Sequence, residues 1–468
     1  MTAYQRKITI ALMIATFLSA IEVTIVSTAM PTIVKKLGGL ELISWVYAVY
    51  LLTSAVTTPI FGKTADLFGR KKVFLFGAAL FLLGSMLCGL SQSMEQLIFF
   101  RAVQGIGAGA VVPITFTIIG DIFTFEERAK VQGLFASIWG IAGIFGPLLG
   151  GFFVDYVSWH WIFYINIPFG LISIWLISKN LNEKLEKRKR HIDYGGAITF
   201  TVGTSALLYA LLTGGNDYPW NSAPIYVLFA ATVIFLILFF VIQMRHPEPM
   251  IPLKLFHYRE VSVPNLISFL ASAILIGITA YLPLWIQGAL GKGAIYSGLV
   301  LMPMSIGWPI GSTVGGRMLV RVGPKRLSLL GILLLAIGTF CLTLITLSTP
   351  SWVIWVIVFV LGLGFGFSIT TFTIVVQSAV DWSLRGVATS SNTFLRTLGQ
   401  TFGVAVLGTF LNSQIGSHSD ASGQVPPEIL AAGIHRIFLI IAVLAIVSLV
   451  ITFWIPKKNP EPARDKAS

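Results

Sequence analysis

Among the ionisable residues that interrupt apolar stretches of this chain are the acid Glu22 and the base Arg101. A charge in hydrocarbon costs several kcal/mol unless it is neutralised, paired or set against water. Glu22 lies near the middle of an apolar run from about Ile8 to Met30, deeper than any other acid in such a run. Acids are kept in that position chiefly where protons or cations are handled inside a membrane; the plainer alternative is a neutral acid hydrogen-bonded between helices. Arg101 opens the segment RAVQGIGAGAV, which also holds Gln104, Gly105, Gly107 and Gly109. At ~1.5 Å per residue, Arg101 lies about 9 Å from the outer end of its helix and Glu22 about 13 Å from the outer end of its own. Such similar depths allow one shared polar site, the alternative being an arginine that only ties helices together. A further arginine, Arg396, has no acid in the neighbouring runs. Backbone carbonyls are its first expected partners and an anionic substrate group its second.

The elements that must position these residues are membrane helices. Mean hydropathy is +0.85. Hydrophobic residues make up 55% of the chain and charged ones 11%, a balance that excludes an ordinary soluble domain. With ~20 apolar residues needed per crossing, the runs predict fourteen helices, at 8–30, 43–61, 73–91, 96–119, 131–153, 161–178, 193–213, 223–243, 260–288, 295–315, 327–347, 352–376, 387–411 and 434–455. The first run is too long, and too interrupted by its acid, for a cleavable signal. With both termini cytoplasmic, 26 Lys and Arg fall on the inside and 4 on the outside, a strong positive-inside bias. Topology and anionic lipid thus account for the net charge of +13 with no nucleic-acid partner. Cys88 and Cys341 sit in apolar runs, so neither a disulfide framework nor a metal site is expected. The basic stretch NEKLEKRKRH at 182–191 separates the first six helices from the rest. The expected organisation is an all-α integral membrane protein: a six-helix bundle over 1–180, a linker over 181–192, two inserted helices over 193–243, a second six-helix bundle over 244–456 and a tail over 457–468.

The segment GKTADLFGRKK, Gly62 to Lys72, joins the second and third helices. Gly62 and Gly69 permit a tight turn, Asp66 can face the positive end of a helix, and Arg70, Lys71 and Lys72 anchor the cytoplasmic face. The segment resembles the major facilitator superfamily signature G-x-L-A-D-x-x-G-R-K, with Thr64 for Leu. A degenerate copy, GGRMLVRVGPKR at 315–326, keeps Gly316, Arg317, Arg321 and Gly323 and has Val320 in place of the acid. The resemblance implies that Asp66 caps a helix of the other half near Gly386 and that Arg70 pairs with Asp121, latching the cytoplasmic side. Farther on, Ala142, Gly146, Pro147, Gly150 and Gly151 resemble the antiporter motif of exporters in the superfamily, with Ala142 for Gly. Small residues there let another helix approach, and Pro147 breaks the hydrogen-bond ladder.

The segments EVTIVSTAMP, WHWIFYINIP, YLPLWIQGALG, SGLVLMP and RGVATSSNTFLRTLGQTFG extend the likeness over residues 18–403, to the 14-helix drug:proton antiporters of EmrB/QacA type. Glu22 stands for that family's Asp, and His160 for its Arg. The resemblance implies alternating access in a bacterial plasma membrane, with the proton as coupling ion, no other cofactor, amphipathic drugs as cargo and a monomer as the working unit. It also associates Arg101 with proton transfer. Concentrating a neutral compound ~100-fold costs about 2.7 kcal/mol, and one proton crossing ~100 mV releases about 2.3 kcal/mol before any pH gradient. Exchange of one proton for a monovalent cation would be electroneutral. Trp139, Tyr281, Trp285, Gln287, Trp308, Asn392 and Arg396 are candidates for the cavity wall, each with packing or lipid contact as its alternative. With so few acids, selection for dicationic drugs is not expected. A dedicated exporter of one metabolite, lipid or peptide fits the same motifs. A sensor or importer fits them less well, and no nucleotide loop, metal cluster or nucleophile constellation marks an enzyme.

Overall fold

The structure, a computed structural model, describes residues 1–37, 42–183, 193–215, 218–247, 249–251, 253–292, 294–415 and 426–456. Most of the basic linker and the whole tail lie outside the described residues. The first part of the chain forms α1 (Ala3–Leu37), α2 (Ile43–Phe68), α3 (Arg70–Gly89), α4 (Met94–Ile122), α5 (Phe125–Phe152), α6 (Trp161–Tyr164) and α7 (Asn166–Asn180). A further pair follows, α8 (Tyr194–Thr213) and α9 (Ala223–Arg245). The last part forms α10 (Arg259–Leu284), α11 (Ala294–Val322), α12 (Pro324–Leu342), α13 (Ser351–Ser378), α14 (Arg385–Ile415) and α15 (Pro427–Thr452).

Local chemistry sets these limits. The Ser93 hydroxyl accepts from the Gln96 N–H to start α4, and Thr124 with Glu127 forms a reciprocal capping box at the start of α5. Pro168 has no N–H and its ring crowds the carbonyl four residues back, so the predicted sixth span divides into α6 and α7. Gly69, at φ +100°, turns the chain between α2 and α3, and Gly323, at φ +84°, does the same between α11 and α12. A Cβ would strain both turns, which stand at corresponding places in the two signature copies.

The predicted runs fall on these helices with shifted ends: α1 already begins at Ala3, whereas α12 stops at Leu342 and α15 at Thr452, short of the predicted 347 and 455. Among the described residues, eleven helices are long and apolar enough to cross a membrane. α5, α11 and α14 are of comparable length but outside that number. They carry Gly, Ser and Thr where the parts of the molecule meet, and helices buried against other helices need small surfaces more than apolar ones.

The hydrophobic residues condense into separate clusters, those within 8–181 and those within 255–455. The α8–α9 pair contributes Phe200 and Phe239 to a smaller cluster touching Ile60 and Phe394. Together with α14 it borders an apolar cavity of about 400 Å³. Asp193 ties the pair down. Its Oδ1 accepts from the Gly196 N–H (2.7 Å) and its Oδ2 from Gln243 Nε2 (2.5 Å), while Gln243 Oε1 accepts from the Ile251 N–H (2.9 Å). Asp193→Ala removes a cap and leaves the buried Gln243 Nε2 without its acceptor. We expect it to cost ~1–3 kcal/mol, seen as a lower thermal midpoint in detergent, with Asp193→Asn losing less.

Candidate functional site

Close helix crossings bring the polar residues of the first half together. A Cβ on Gly84 of α3 would stand 2.5 Å from the Gln104 Cα of α4, and one on Gly105 would stand 2.5 Å from the Tyr50 carbonyl of α2. These contacts place Arg101 and Gln104 beside α1, α2 and α3. Glu22 is wholly buried and Arg101 is 2% exposed. Arg101 Nη1 donates to Glu22 Oε1 at 2.5 Å and to Gln104 Oε1 at 2.8 Å, and Nε donates to the Val46 carbonyl at 3.2 Å. The guanidinium also lies 4.2 Å above the Tyr50 ring. Asn166, at the start of α7, donates from Nδ2 to Glu22 Oε2 (2.6 Å) and to Ser85 Oγ (2.9 Å). Asn166 Oδ1 and Gln104 Nε2 are buried without a partner.

A carboxylate paired in this way is neutralised where it stands. Protonating it would remove the counter-ion of Arg101 and turn an acceptor toward Asn166 into a donor. An amide can answer either state, offering N–H to a carboxylate or C=O to a carboxylic acid. Asn166 and Ser85 escaped the sequence reading. The one available signal was the INIP segment, where an amide precedes a helix-breaking proline.

The second cluster lies where α2 turns into α3. Asp66 accepts at Oδ1 from the Gly386 N–H (3.1 Å) and at Oδ2 from the Val387 N–H (2.9 Å), the first free donors of α14. Arg70 reaches Asp66 Oδ1 at 2.7 Å, Asp121 Oδ2 at 3.1 Å and the Trp382 carbonyl at 2.8 Å, with its guanidinium 3.8 Å over the Trp382 ring. Arg385 answers from the other half, donating to Asp121 Oδ1 at 3.1 Å and the Gly120 carbonyl at 2.9 Å. Gln377 Nε2 donates to the Phe116 carbonyl at 3.0 Å. Gly62 is buried where α2 crosses α14, and a Cβ on it would lie 2.8 Å from the Gly386 carbonyl. Glu183 receives the Arg70 and Lys71 N–H groups. The sequence reading missed Trp382, Arg385 and Glu183, having counted Arg385 only as a topology charge. The halves therefore close against each other at the basic end, whereas a Cβ on Gly151 of α5 or Gly298 of α11 would have open space.

The antiporter-like segment packs on α1 beside the acid. Thr24, two residues after Glu22, donates to the Ala142 carbonyl at 3.1 Å, and a Cβ on Gly146 would fall 2.8 Å from the Thr24 Cβ. Gly150 is buried, and the Pro147 side chain lies outside the described ones. On its other side α5 meets α11, where a Cβ on Gly140 would stand 2.6 Å from the Ser305 carbonyl. We expect Gly146→Val to push α5 off α1 at a cost of ~1–3 kcal/mol, seen as a lower thermal midpoint in detergent.

The expected cavity wall is assembled only in part. Trp139 is 43% exposed and turns away from Leu134, Ile141 and Phe145, the outer exposed face of α5. Trp308 is half-buried and stacks on Phe365 at 5.3 Å. Asn392 donates to Asn265 Oδ1 (2.7 Å) and Ser268 Oγ (3.2 Å), and Arg396 stands one turn farther along α14. Tyr281 and Trp285 take the packing alternative: both are buried in the core of the second half with Leu282 and Ile286, because an aromatic ring fills a core as well as it lines a cavity. The Gln287 side chain lies outside the described ones. His160 stacks on Trp159 at 3.9 Å, and burial together with the nearby Lys36 holds its pKa below the usual histidine range. Both effects disfavour its charged form.

Known proteins resemble this chain. Multidrug resistance protein 3 of Bacillus subtilis (strain 168) is 40% identical over 409 residues, covering 87% of this chain and 80% of its own length. Multidrug transporter protein MdtP of the same organism is 40% identical over 406 residues, covering 87% and 75%. The human organic anion transporter MFSD10 (TETRAN) superposes with a TM-score of 0.71 over 97% of this chain and 100% of its own; at 13% identity this is a likeness of fold. The family model of the Major Facilitator Superfamily matches residues 12–404, and with these relatives it shows that the chain belongs to the Major Facilitator Superfamily.

Proposed function

We propose that this multi-pass membrane protein is a proton-coupled antiporter that expels drugs or other amphipathic toxic compounds by alternating access. The observation that carries the reading is the wholly buried Glu22, bound to Arg101 at 2.5 Å and to Asn166 at 2.6 Å, on a helix packed against the antiporter-like segment of α5. The names of the Bacillus relatives, a multidrug resistance protein and a multidrug transporter, support drugs as the cargo. We also read α5, α11 and α14 as crossing the membrane, and α6 with α7 as one crossing, which gives the fourteen spans of the EmrB/QacA type. The 26-to-4 charge bias supports a cytoplasmic basic end, so the closed latch belongs to an outward-facing state.

In the cycle, a proton from outside would load Glu22 and release Arg101 from its pair. The latch at Asp66, Arg70 and Asp121 would open as the molecule turns inward. Drug would then replace the proton. The test is uptake of chemically unrelated fluorescent drugs into inside-out membrane vesicles with an imposed proton gradient. Uptake that collapses with an uncoupler is the expected result; an uncoupler-insensitive uptake would sink proton coupling. Transport of one compound only would favour the dedicated exporter. Asn166→Leu, which keeps bulk but not the amide, should slow gradient-driven uptake about tenfold, as the loss of a charge-assisted hydrogen bond.

A further inference from the structure

Arg396 is a guanidinium deep within a helix for which the structure shows no partner among the described residues. It stands eleven residues along α14 from Arg385, ~17 Å into the helix. Its Nε is buried without a hydrogen-bond partner, and the residue as a whole is half-buried. The neighbours of α14 fix which way it turns. Gly386 meets α2, while Asn392, Gly399 and Gly403 meet α10. Phe394, Leu395 and Leu398 face the apolar cavity under α8 and α9. At about 100° per residue, Arg396 falls at the edge of the face that meets α10, about 20° from Gly403, on the side turned toward Gln400 and Thr393. The helical acids of this half are Glu260 and Glu428, both in first turns and so at helix ends. Arg101, by contrast, has a carboxylate, an amide, a carbonyl and a ring.

We propose that Arg396 receives an oxyanion of the cargo, so that the pump selects amphiphiles bearing a carboxylate or sulfonate; this rests on the export reading above. A guanidinium fork matches such a group with two parallel hydrogen bonds. Asn265, whose Nδ2 is buried without a partner, lies against Asn392 one turn away and offers a further donor. The depth of Arg396 sets it far from any phospholipid headgroup. A charge consequence follows. A monoanion leaving as one proton enters moves two positive charges inward, so its export is driven by an inside-negative potential, whereas exchange of a monocation for one proton is electroneutral.

The test uses the full chain in proteoliposomes with two dyes on one xanthene frame, monoanionic sulforhodamine 101 and monocationic rhodamine 6G. Wild type should carry sulforhodamine faster when a potassium–valinomycin potential is imposed. In Arg396→Met the sulforhodamine-to-rhodamine rate ratio should fall about tenfold or more, and in Arg396→Lys by less, as the fork is lost but the charge stays. An unchanged ratio in Arg396→Met overturns the proposal. If that variant fails to fold, an unchanged ratio in Arg396→Lys overturns it instead. Rhodamine carried without sulforhodamine by wild type overturns the role of Arg396 and leaves drug export standing. Transport of neither dye overturns both.

Discussion

Glu22→Gln is expected to abolish proton-driven drug uptake, by 100-fold or more, in vesicles where wild type concentrates drug. The amide has nearly the shape of the acid, so Oε1 can still accept from Arg101 and the helices around it need not move. What is lost is the site where a proton binds. Removing one charge of a buried pair costs ~3–5 kcal/mol when nothing replaces it. The retained acceptor and the Tyr50 ring reduce that penalty, so a folded variant is expected. Drug-for-drug exchange with no gradient should survive in Glu22→Gln, because alternating access with cargo bound requires no proton. Wild type should exchange at a rate that changes with pH, and the variant at a rate that does not. Glu22→Asp should keep pH dependence but work more slowly, since the shorter arm draws the carboxylate away from Arg101. Equal gradient-driven uptake by wild type and Glu22→Gln would remove Glu22 from the mechanism.

The core of this site was legible in the sequence because charges in apolar runs are rare and their depth can be counted along a helix. Glu22 and Arg101 were matched by that count, and the structure brings them to 2.5 Å. Asn166, Ser85 and Gln104 complete the site with uncharged groups, which also occur on any helix–helix seam and carry no depth signal. The Gly69 turn was legible because two signature copies place glycine at the same joint. Trp382 and Arg385 were not, because their partners lie more than 250 residues away in sequence and only the docking of α14 against α2 and α4 joins them. Tyr281 and Trp285 show the converse limit. A sequence marks an aromatic residue, and only packing tells whether it fills a core or walls a passage.

Asp66→Asn is expected to cut drug export ~10- to 100-fold without weakening drug binding. The carboxylate receives two N–H groups from the first turn of α14 and also holds Arg70. An asparagine has one acceptor oxygen and an NH₂ that faces a donor, so one of the two caps is lost and the charge facing the helix dipole goes with it. Hydrogen bonds to a charged group contribute ~1.5–3 kcal/mol, so the closed basic end should lose a factor of ten or more in population. Binding would survive because these residues face the seam between the halves, away from Trp139 and Arg396. Ser390, which packs on Gly62 at that seam, offers the readout. In a Cys341→Ser background, Ser390→Cys should react slowly with a maleimide added from the basic side and at least several-fold faster once Asp66→Asn is added. Faster labelling with slower export would make the cap a latch on the closed state. Unchanged labelling with normal export would reduce Asp66 to a fold-stabilising acid, leaving closure to Asp121 with its two arginines. The latch reading is the stronger because Arg70 and Arg385 come from opposite halves to one carboxylate, so opening must break at least one of those pairs.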